Sequence, residues 1–241
     1  RDLRMSRGLG DVYKRQLLCG SFAVVVALMY NDLTLAFWLI VAGIVFDFFD
    51  GFVARLLHSS SAIGVQLDSL ADVITSGLAP AAVLWQVCLQ TEPCWLPETW
   101  KLGYGVFVLA AFSALRLAKF NIDETQTVEF CGLPTPAGSL LCASLGMLWQ
   151  QGAVALSSDG VLLIAVLTSL LLVSPIRMFA LKFHGFGWRG NEVRYLFLLA
   201  SIVLIIILRT YAIPVIIVLY IVVSAVRWLC MRSGNPDKAP K

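Results

Sequence analysis

The sequence predicts an all-α, polytopic membrane protein, a transmembrane helical bundle of about eight spans. Hydrophobic residues make up 59% of the 241 residues and charged residues only 14%, whereas charged residues account for about a quarter of a soluble domain. The mean hydropathy is +0.83. Apolar stretches long enough to cross a hydrocarbon layer of roughly 30 Å recur along the whole chain. The buried core of a soluble protein does not account for this pattern.

Hydropathy and turn-forming breaks divide the chain into segments. We expect a six-helix catalytic core over residues 17–185, two additional helices over 186–232 and a disordered tail over 233–241. The polar residues 1–16 stand before an abruptly apolar stretch, and we treat them as an N-terminal extension that need not be native. The predicted spans cover about residues 17–30, 34–57, 67–88, 102–119, 137–153, 160–180, 194–209 and 211–230.

The distribution of basic residues predicts the orientation in the membrane. If the N-terminus is cytoplasmic, only Lys101 and Arg209 of the 18 lysines and arginines fall on the opposite side. Cytoplasmic segments of membrane proteins are enriched in these residues. The bias survives when residues 1–16 are left out of the count. An even number of spans with both termini in the cytoplasm follows.

Several other kinds of site are not indicated. The six cysteines show no CxxC spacing and mostly lie in apolar stretches, so they predict neither a disulfide framework nor a zinc site. His58 and His184 have no companion at metal-ligand spacing. The sequence contains no glycine-rich phosphate loop of the soluble kind and no nucleic-acid-binding pattern, so nucleic acid is not an expected partner.

Four aspartates lie close together in the second and third predicted spans. They are Asp47, Asp50, Asp68 and Asp72. A carboxylate near the membrane centre costs roughly 2.5–3.5 kcal/mol, and Arg55 is the only fixed positive charge nearby in the sequence. Each pair shares one helix face, and the short loop between the helices should oppose the two faces. Hard oxygen ligands suit Mg²⁺ or Mn²⁺, so the sequence predicts a divalent metal site.

Small residues accompany these carboxylates. Gly51, Ala54 and Gly64 share the acidic faces and leave room for a ligand to approach the backbone. Arg55 offers a fork of donors suited to a diphosphate. An ion or proton pathway, as in a transporter, is an alternative explanation for carboxylates in a membrane helix. The glycines alone can also serve in helix packing.

The spacing Asp-x2-Asp-Gly-x2-Ala-Arg-x8-Gly-x3-Asp-x3-Asp, which runs from Asp47 to Asp72, resembles the signature of the CDP-alcohol phosphotransferases, with every specified position present. Segments 112–121 and 132–137 resemble the phosphatidylserine synthase branch of that family. The resemblance implies transfer of the phosphatidyl group from CDP-diacylglycerol to the hydroxyl of L-serine, with release of CMP. It also implies a homodimer in the cytoplasmic membrane of a prokaryote, with a cytoplasmic active site.

The resemblance assigns roles to the residues of the motif. The four aspartates would hold Mg²⁺ or Mn²⁺ against the diphosphate, and Asp72 would also be the general base that accepts the proton of the acceptor hydroxyl. One feature departs from the family: residues 1–16 replace the Pro-Asn-x2-Thr segment that usually begins the first span and helps to hold the nucleotide. The CDP-lipid would be bound by the motif residues Gly51, Ala54, Arg55 and Gly64.

The acceptor site is assigned to the end of the fourth span. The carboxylate of L-serine needs a cation, which Arg116 and Lys119 can supply, with Asn121 as a polar partner. These two basic residues can instead anchor the helix end at the membrane interface. Two alternative functions stay open: a sister enzyme that uses glycerol 3-phosphate or an inositol phosphate, and an ion or proton carrier. Segments 112–121 and 132–137 favour serine.

Overall fold

The computed structural model describes residues 15–56, 62–95, 103–122, 130–179 and 191–234. Most of these residues are helical, as the fold class predicted. The helices of this part of the chain are α1 (Arg15–Tyr30), α2 (Leu33–Leu56), α3 (Ala62–Asp72), α4 (Ala79–Gln90), α5 (Val108–Ile122), α6 (Thr135–Gln150), α7 (Ser158–Leu172), α8 (Glu192–Leu208) and α9 (Ala212–Gly234).

Among the described residues, three helical segments are long and apolar enough to cross a membrane: Ile63–Gln90, Gly103–Ile122 and Glu192–Cys230. The first is α3 and α4 joined by the π-helical segment Val73–Leu78, and the second is a 3-10 turn followed by α5. Shorter apolar helices are found in α1, α2 and α7. Together these features confirm an all-α membrane protein.

The long segment at the C-terminal end of the fold is a pair of helices. Arg209 has φ +48° and ψ −113°, a backbone conformation through which an α-helix cannot continue, so α8 ends at Leu208. A single 3-10 turn, Arg209–Tyr211, leads into α9, and α8 and α9 pack against each other. A break in the helix therefore lies where the sequence predicts the division into two spans.

Hydrogen bonds between helix ends show that the helices run up and down. Asn31, which separates α1 from α2, exchanges hydrogen bonds with Gln90 at the end of α4. The side chain of Gln150, at the end of α6, donates to the backbone oxygen of Asn31. The hydroxyl of Tyr211 donates to the backbone oxygen of Ala153. We call the region formed by residues 31–34, 90–95, 150–159 and 209–211 the distal end. The four aspartates are not part of it.

Two short strands, which the sequence analysis did not predict, lie away from the distal end. Strand β1 (Phe130–Cys131) pairs antiparallel with β2 (Arg177–Met178). The predicted span 160–180 was therefore wrong at its C-terminal end, because α7 stops at Leu172. Pro175 lacks a backbone N–H and disfavours helical geometry at the residue before it. The chain turns there and enters the sheet.

Glycines allow α1 and α2 to approach the π-helical segment closely. A Cβ atom on Gly20 of α1 would lie 2.8 Å from the Cα atom of Thr75. A Cβ atom on Gly43 of α2 would lie 2.7 Å from Cγ2 of the same threonine. Small residues at such contacts let helix backbones pack tightly in membranes. The three elements therefore meet about one helical turn from Asp72.

Candidate active site

A carboxylate of α2 meets a carboxylate of α3. The side chains of Asp47 and Asp68 lie within hydrogen-bonding reach of each other, and both are partly exposed. Two carboxylates at this separation repel each other unless a proton or a cation lies between them. The pair therefore has the chemistry of a cation site, contributed by two different helices.

Asp72 lies one turn beyond Asp68, directly before the π-helical segment. Its carboxylate interacts electrostatically with Asp68 and with Arg116 of α5. Its Oδ1 atom accepts a hydrogen bond of 2.8 Å from Nε2 of Gln16. Asp72 therefore connects the Asp47–Asp68 pair to a guanidinium group on another helix.

Gln16 is a site residue that the sequence analysis set aside. It is fully buried in α1, and its backbone oxygen accepts a hydrogen bond of 3.2 Å from the hydroxyl of Thr75. Its Oε1 atom is buried and has no hydrogen-bond partner among the described residues. The extension predicted over residues 1–16 thus overlaps α1 by two residues. A polar residue immediately before an apolar run was the available signal.

The described carboxylates are suitable ligands for a divalent cation, because they supply oxygen atoms from facing helices. Within the described side chains, no group of three or more carboxylate, histidine or cysteine residues gathers closely enough to hold a metal. The predicted fourth ligand, Asp50, lies in α2 with its side chain outside the described set, as do the side chains of Ala54 and Arg55. The four-aspartate metal site therefore stays a prediction.

The other two predicted CDP-lipid residues lie on the two acidic helices. Gly51 is exposed in α2, and Gly64 is buried in α3, one turn before Asp68. An exposed glycine leaves backbone open to a ligand, which fits the predicted role of Gly51. The buried position of Gly64 also fits helix packing, the alternative weighed from the sequence.

Arg116 connects Asp72 to a cavity of about 480 Å³. Arg116 is only 9% exposed, and its Nη1 atom donates a hydrogen bond of 2.8 Å to the hydroxyl of Thr135. Its Nε atom is buried and unpaired among the described residues. A buried guanidinium with a donor to spare, beside a cavity, suits an anionic ligand. The cavity is also lined by Lys119, Phe120, Ile122, Cys131, Leu172, Val173, Ser174 and Pro175.

The structure separates the three residues predicted for the acceptor. Arg116 and Lys119 both line the cavity. The side chain of Asn121 instead donates a hydrogen bond of 2.8 Å to the hydroxyl of Ser69, which lies on α3 next to Asp68. Asn121 thus joins the end of α5 to the acidic helix.

The chain is similar in sequence to known proteins. The model of the CDP-alcohol phosphatidyltransferase family matches residues 15–174. The CDP-diacylglycerol–serine O-phosphatidyltransferase of Bacillus subtilis is 32% identical over 168 residues, covering 70% of this chain and 87% of the relative. The protein of the same name from Helicobacter pylori is 30% identical over 88% of this chain and 87% of its own length. That of Mycobacterium tuberculosis is 32% identical over 93% and 81%.

Proposed function

Because this chain belongs to the CDP-alcohol phosphatidyltransferase family, we propose that it transfers the phosphatidyl group of CDP-diacylglycerol to the hydroxyl group of L-serine. The products are phosphatidylserine and CMP. The names of the relatives from three bacterial genera support this choice of substrates. The structural observation that carries the proposal is the position of Asp72, which interacts with Asp68 on one side and with Arg116 on the other.

The family generally uses a divalent metal. In our proposal Mg²⁺ or Mn²⁺ is held by Asp47, Asp50 and Asp68, with Asp72 at the edge of the site. When bound, the metal would neutralise the diphosphate and withdraw charge from the phosphorus. The contact between Asp47 and Asp68 supports this assignment, since a shared cation removes the repulsion between the two carboxylates.

The CDP-lipid would bind along the acidic faces of α2 and α3. The glycines Gly51 and Gly64, together with Ala54, have no long side chain that would keep a diphosphate from the backbone. Arg55 would donate hydrogen bonds to phosphate oxygens, for which a guanidinium fork is well suited. The lipid chains would remain in the surrounding membrane.

Asp72 would act as the general base. It accepts the proton of the serine hydroxyl as the serine oxygen attacks the phosphorus that carries the lipid. The bond from that phosphorus to the CMP oxygen breaks, and CMP leaves with the electron pair. The group must lie within reach of both substrates. The interactions of Asp72 with Asp68 and with the cavity arginine support this role.

Arg116 and Lys119 would bind the carboxylate of L-serine in the cavity. The unpaired Nε atom of Arg116 supports this role, because a buried donor without a partner is costly in the absence of a ligand. Asn121 would act less directly, through its hydrogen bond to Ser69 on the acidic helix.

We also propose a homodimer in the cytoplasmic membrane of a prokaryote, with both termini and the active site on the cytoplasmic side. The distribution of lysine and arginine supports this orientation.

Release of CMP by the detergent-purified chain tests the proposal. CDP-diacylglycerol is supplied with L-serine, glycerol 3-phosphate, an inositol phosphate or no acceptor, and the lipid product is identified. We expect CMP release that depends on L-serine, with phosphatidylserine as the product. Release with only one of the other alcohols would reassign the acceptor. If no acceptor gives CMP and the chain carries ions or protons into liposomes, the carrier alternative replaces the enzyme.

A further inference from the structure

The helical hairpin α8–α9 lies beyond residues 15–174, the part of the chain that the family model matches. It nevertheless contacts the backbone just after β2 through Tyr220 of α9. Tyr220 is 8% exposed, and its hydroxyl donates a hydrogen bond of 3.0 Å to the backbone oxygen of Phe179. Its ring centre lies 4.9 Å from that of Phe179 and 5.8 Å from that of Phe197.

Phe179 follows directly after β2, so this hydrogen bond holds the end of the small sheet. The partner strand β1 contains Cys131, which lines the cavity. The cavity-lining turn from Leu172 to Pro175 leads into β2 from the other side. The bond between α9 and Phe179 therefore fixes a wall of the cavity from behind.

Tyr220 also lies in the neighbourhood of Arg116. This is the guanidinium that donates to Thr135 and interacts with Asp72. One tyrosine of the hairpin thus holds the backbone behind the wall and lies near the cation that lines the cavity. Neither contact involves a residue of the acidic motif.

We propose that the α8–α9 hairpin is part of the acceptor site and that Tyr220 is a positioning residue that determines acceptor specificity. By holding the β1–β2 wall beside the guanidinium of Arg116, Tyr220 keeps the cavity matched to a small hydroxy amino acid. A looser wall would favour bulkier phosphorylated alcohols. This inference rests on the proposed function.

The alternative role for a tyrosine buried between helices is to stabilise the hairpin alone. That role predicts a smaller yield of folded protein and unchanged Michaelis constants for both substrates. A positioning role predicts a change confined to the acceptor. The two roles therefore differ in how KM for L-serine and KM for CDP-diacylglycerol respond to the same substitution.

The test compares Tyr220→Phe with the matched control Tyr211→Phe. Tyr211 belongs to the same hairpin, but its hydroxyl donates to the backbone oxygen of Ala153 at the distal end. For Tyr220→Phe we expect KM for L-serine to rise about threefold to tenfold, the effect of one lost hydrogen bond. KM for CDP-diacylglycerol should stay within about twofold, and Tyr211→Phe should change neither constant.

An unchanged KM for L-serine in folded Tyr220→Phe would overturn the inference, as would an equal rise in both Michaelis constants. If this variant does not fold, Phe197→Leu replaces it, since that change removes a ring packed on Phe179 and Tyr220 but leaves the hydroxyl. A selective rise in KM for L-serine then supports the proposal, and unchanged constants overturn it.

A second measurement does not depend on activity. Cys131 is partly exposed at the cavity wall, whereas Cys88 and Cys142 are buried. In a full-length chain whose remaining cysteines (Cys19, Cys94 and Cys230) are replaced by alanine, the rate of maleimide labelling reports on the wall. We expect Tyr220→Phe to raise this rate about threefold or more, and Tyr211→Phe to leave it unchanged.

The two measurements separate the inference from the proposed function. If the wild-type chain releases no CMP with L-serine but labelling rises in Tyr220→Phe, the proposed function fails and the role of Tyr220 in holding the wall stands. If the wild-type chain is active and neither labelling nor KM for L-serine changes in Tyr220→Phe, the inference alone fails. Faster labelling with an unchanged KM also overturns it, because the wall then moves without effect on the acceptor.

Discussion

The carboxylate of Asp72 on α3 and the guanidinium of Arg116 on α5 interact electrostatically, although 44 positions (116 minus 72) separate them in the sequence. Through this contact the acidic helices and the cavity form one site. The Asp47–Asp68 pair adjoins Asp72 on one side, and the cavity that Arg116 lines adjoins it on the other.

Asp72→Asn should abolish most turnover and leave the CDP-lipid bound. Asparagine has nearly the same shape and can still accept the hydrogen bond from Gln16, but it cannot take a proton from serine. General-base catalysis contributes roughly a hundredfold to ten-thousandfold, so we expect kcat to fall at least about a hundredfold. CMP release and binding of CDP-diacylglycerol are measured on the same preparation.

Asp32→Asn is the control for this substitution. Asp32 lies at the distal end and accepts a hydrogen bond of 2.8 Å from the backbone N–H of Leu35, a helix-capping role that asparagine also fills. The Asp32→Asn substitution should leave turnover unchanged. Near-normal turnover in Asp72→Asn would remove that residue from the role of base.

Removal of divalent metal should stop the reaction. Excess EDTA is expected to abolish CMP release, and Mg²⁺ or Mn²⁺ should restore it, since oxygen ligands of this kind bind these ions. Asp68→Asn should raise the metal concentration needed for half-maximal activity by about tenfold or more, because it removes one ligand. Full activity in excess chelator would contradict the metal assignment for all four aspartates.

Arg116→Lys should weaken binding of L-serine although the charge is kept. Lysine cannot donate to Thr135 and to a bound carboxylate through a planar fork. A hydrogen bond to a charged group contributes about 1.5–3 kcal/mol, so KM for L-serine should rise about tenfold to a hundredfold. Lys119→Gln should have a smaller effect, because Lys119 is exposed. Equal effects on both substrates would show that Arg116 does not belong to the acceptor site.

Gly43→Ala should destabilise the fold and disturb the carboxylate pair. The added Cβ atom would lie 2.7 Å from Cγ2 of Thr75, and Asp47 lies one turn further along α2. Overpacking of this kind costs about 1–3 kcal/mol. We expect a lower unfolding temperature in detergent together with a higher metal requirement, the second effect arising from displacement of Asp47 relative to Asp68.

Gly105→Ala provides the comparison for this glycine. Its added Cβ atom would meet only the end of the flexible Leu162 side chain, so stability and metal requirement should both stay near wild type. If Gly43→Ala were as stable as Gly105→Ala, the close approach of α2 to the π-helical segment would be refuted.

The sequence predicted the helices well because each apolar run ends at polar or turn-forming residues. The predicted span 34–57 corresponds to α2 (Leu33–Leu56), and the division near residue 210 corresponds to the turn at Arg209. The spacing within the motif also predicted that acidic faces of the two helices meet, and Asp47 and Asp68 do so. These features follow from local periodicity, which a single sequence contains.

Other features depend on contacts between distant parts of the chain. Gln16 contacts Asp72 across 56 positions, and Tyr220 contacts Phe179 across 41, so no local pattern predicted either pair. Hydropathy also extended the sixth span to residue 180, since residues 173–180 are mostly apolar, although the chain leaves the helix after Leu172 and pairs in a sheet at Arg177–Met178. Pro175 was the one local signal against that extension.

The π-helical segment Val73–Leu78 sets the angle around the helix axis between the aspartates of α3, which precede it, and the packed residues of α4, which follow it. A π-helical turn accommodates one residue more than an α-helical turn, and each residue of an α-helix turns the chain by about 100°. Loss of one residue here would restore a regular helix but swing Val83 away from Gly146 of α6, or else swing Asp68 away from Asp47 of α2. The number of residues in this segment is thus as constrained as the identity of the aspartates.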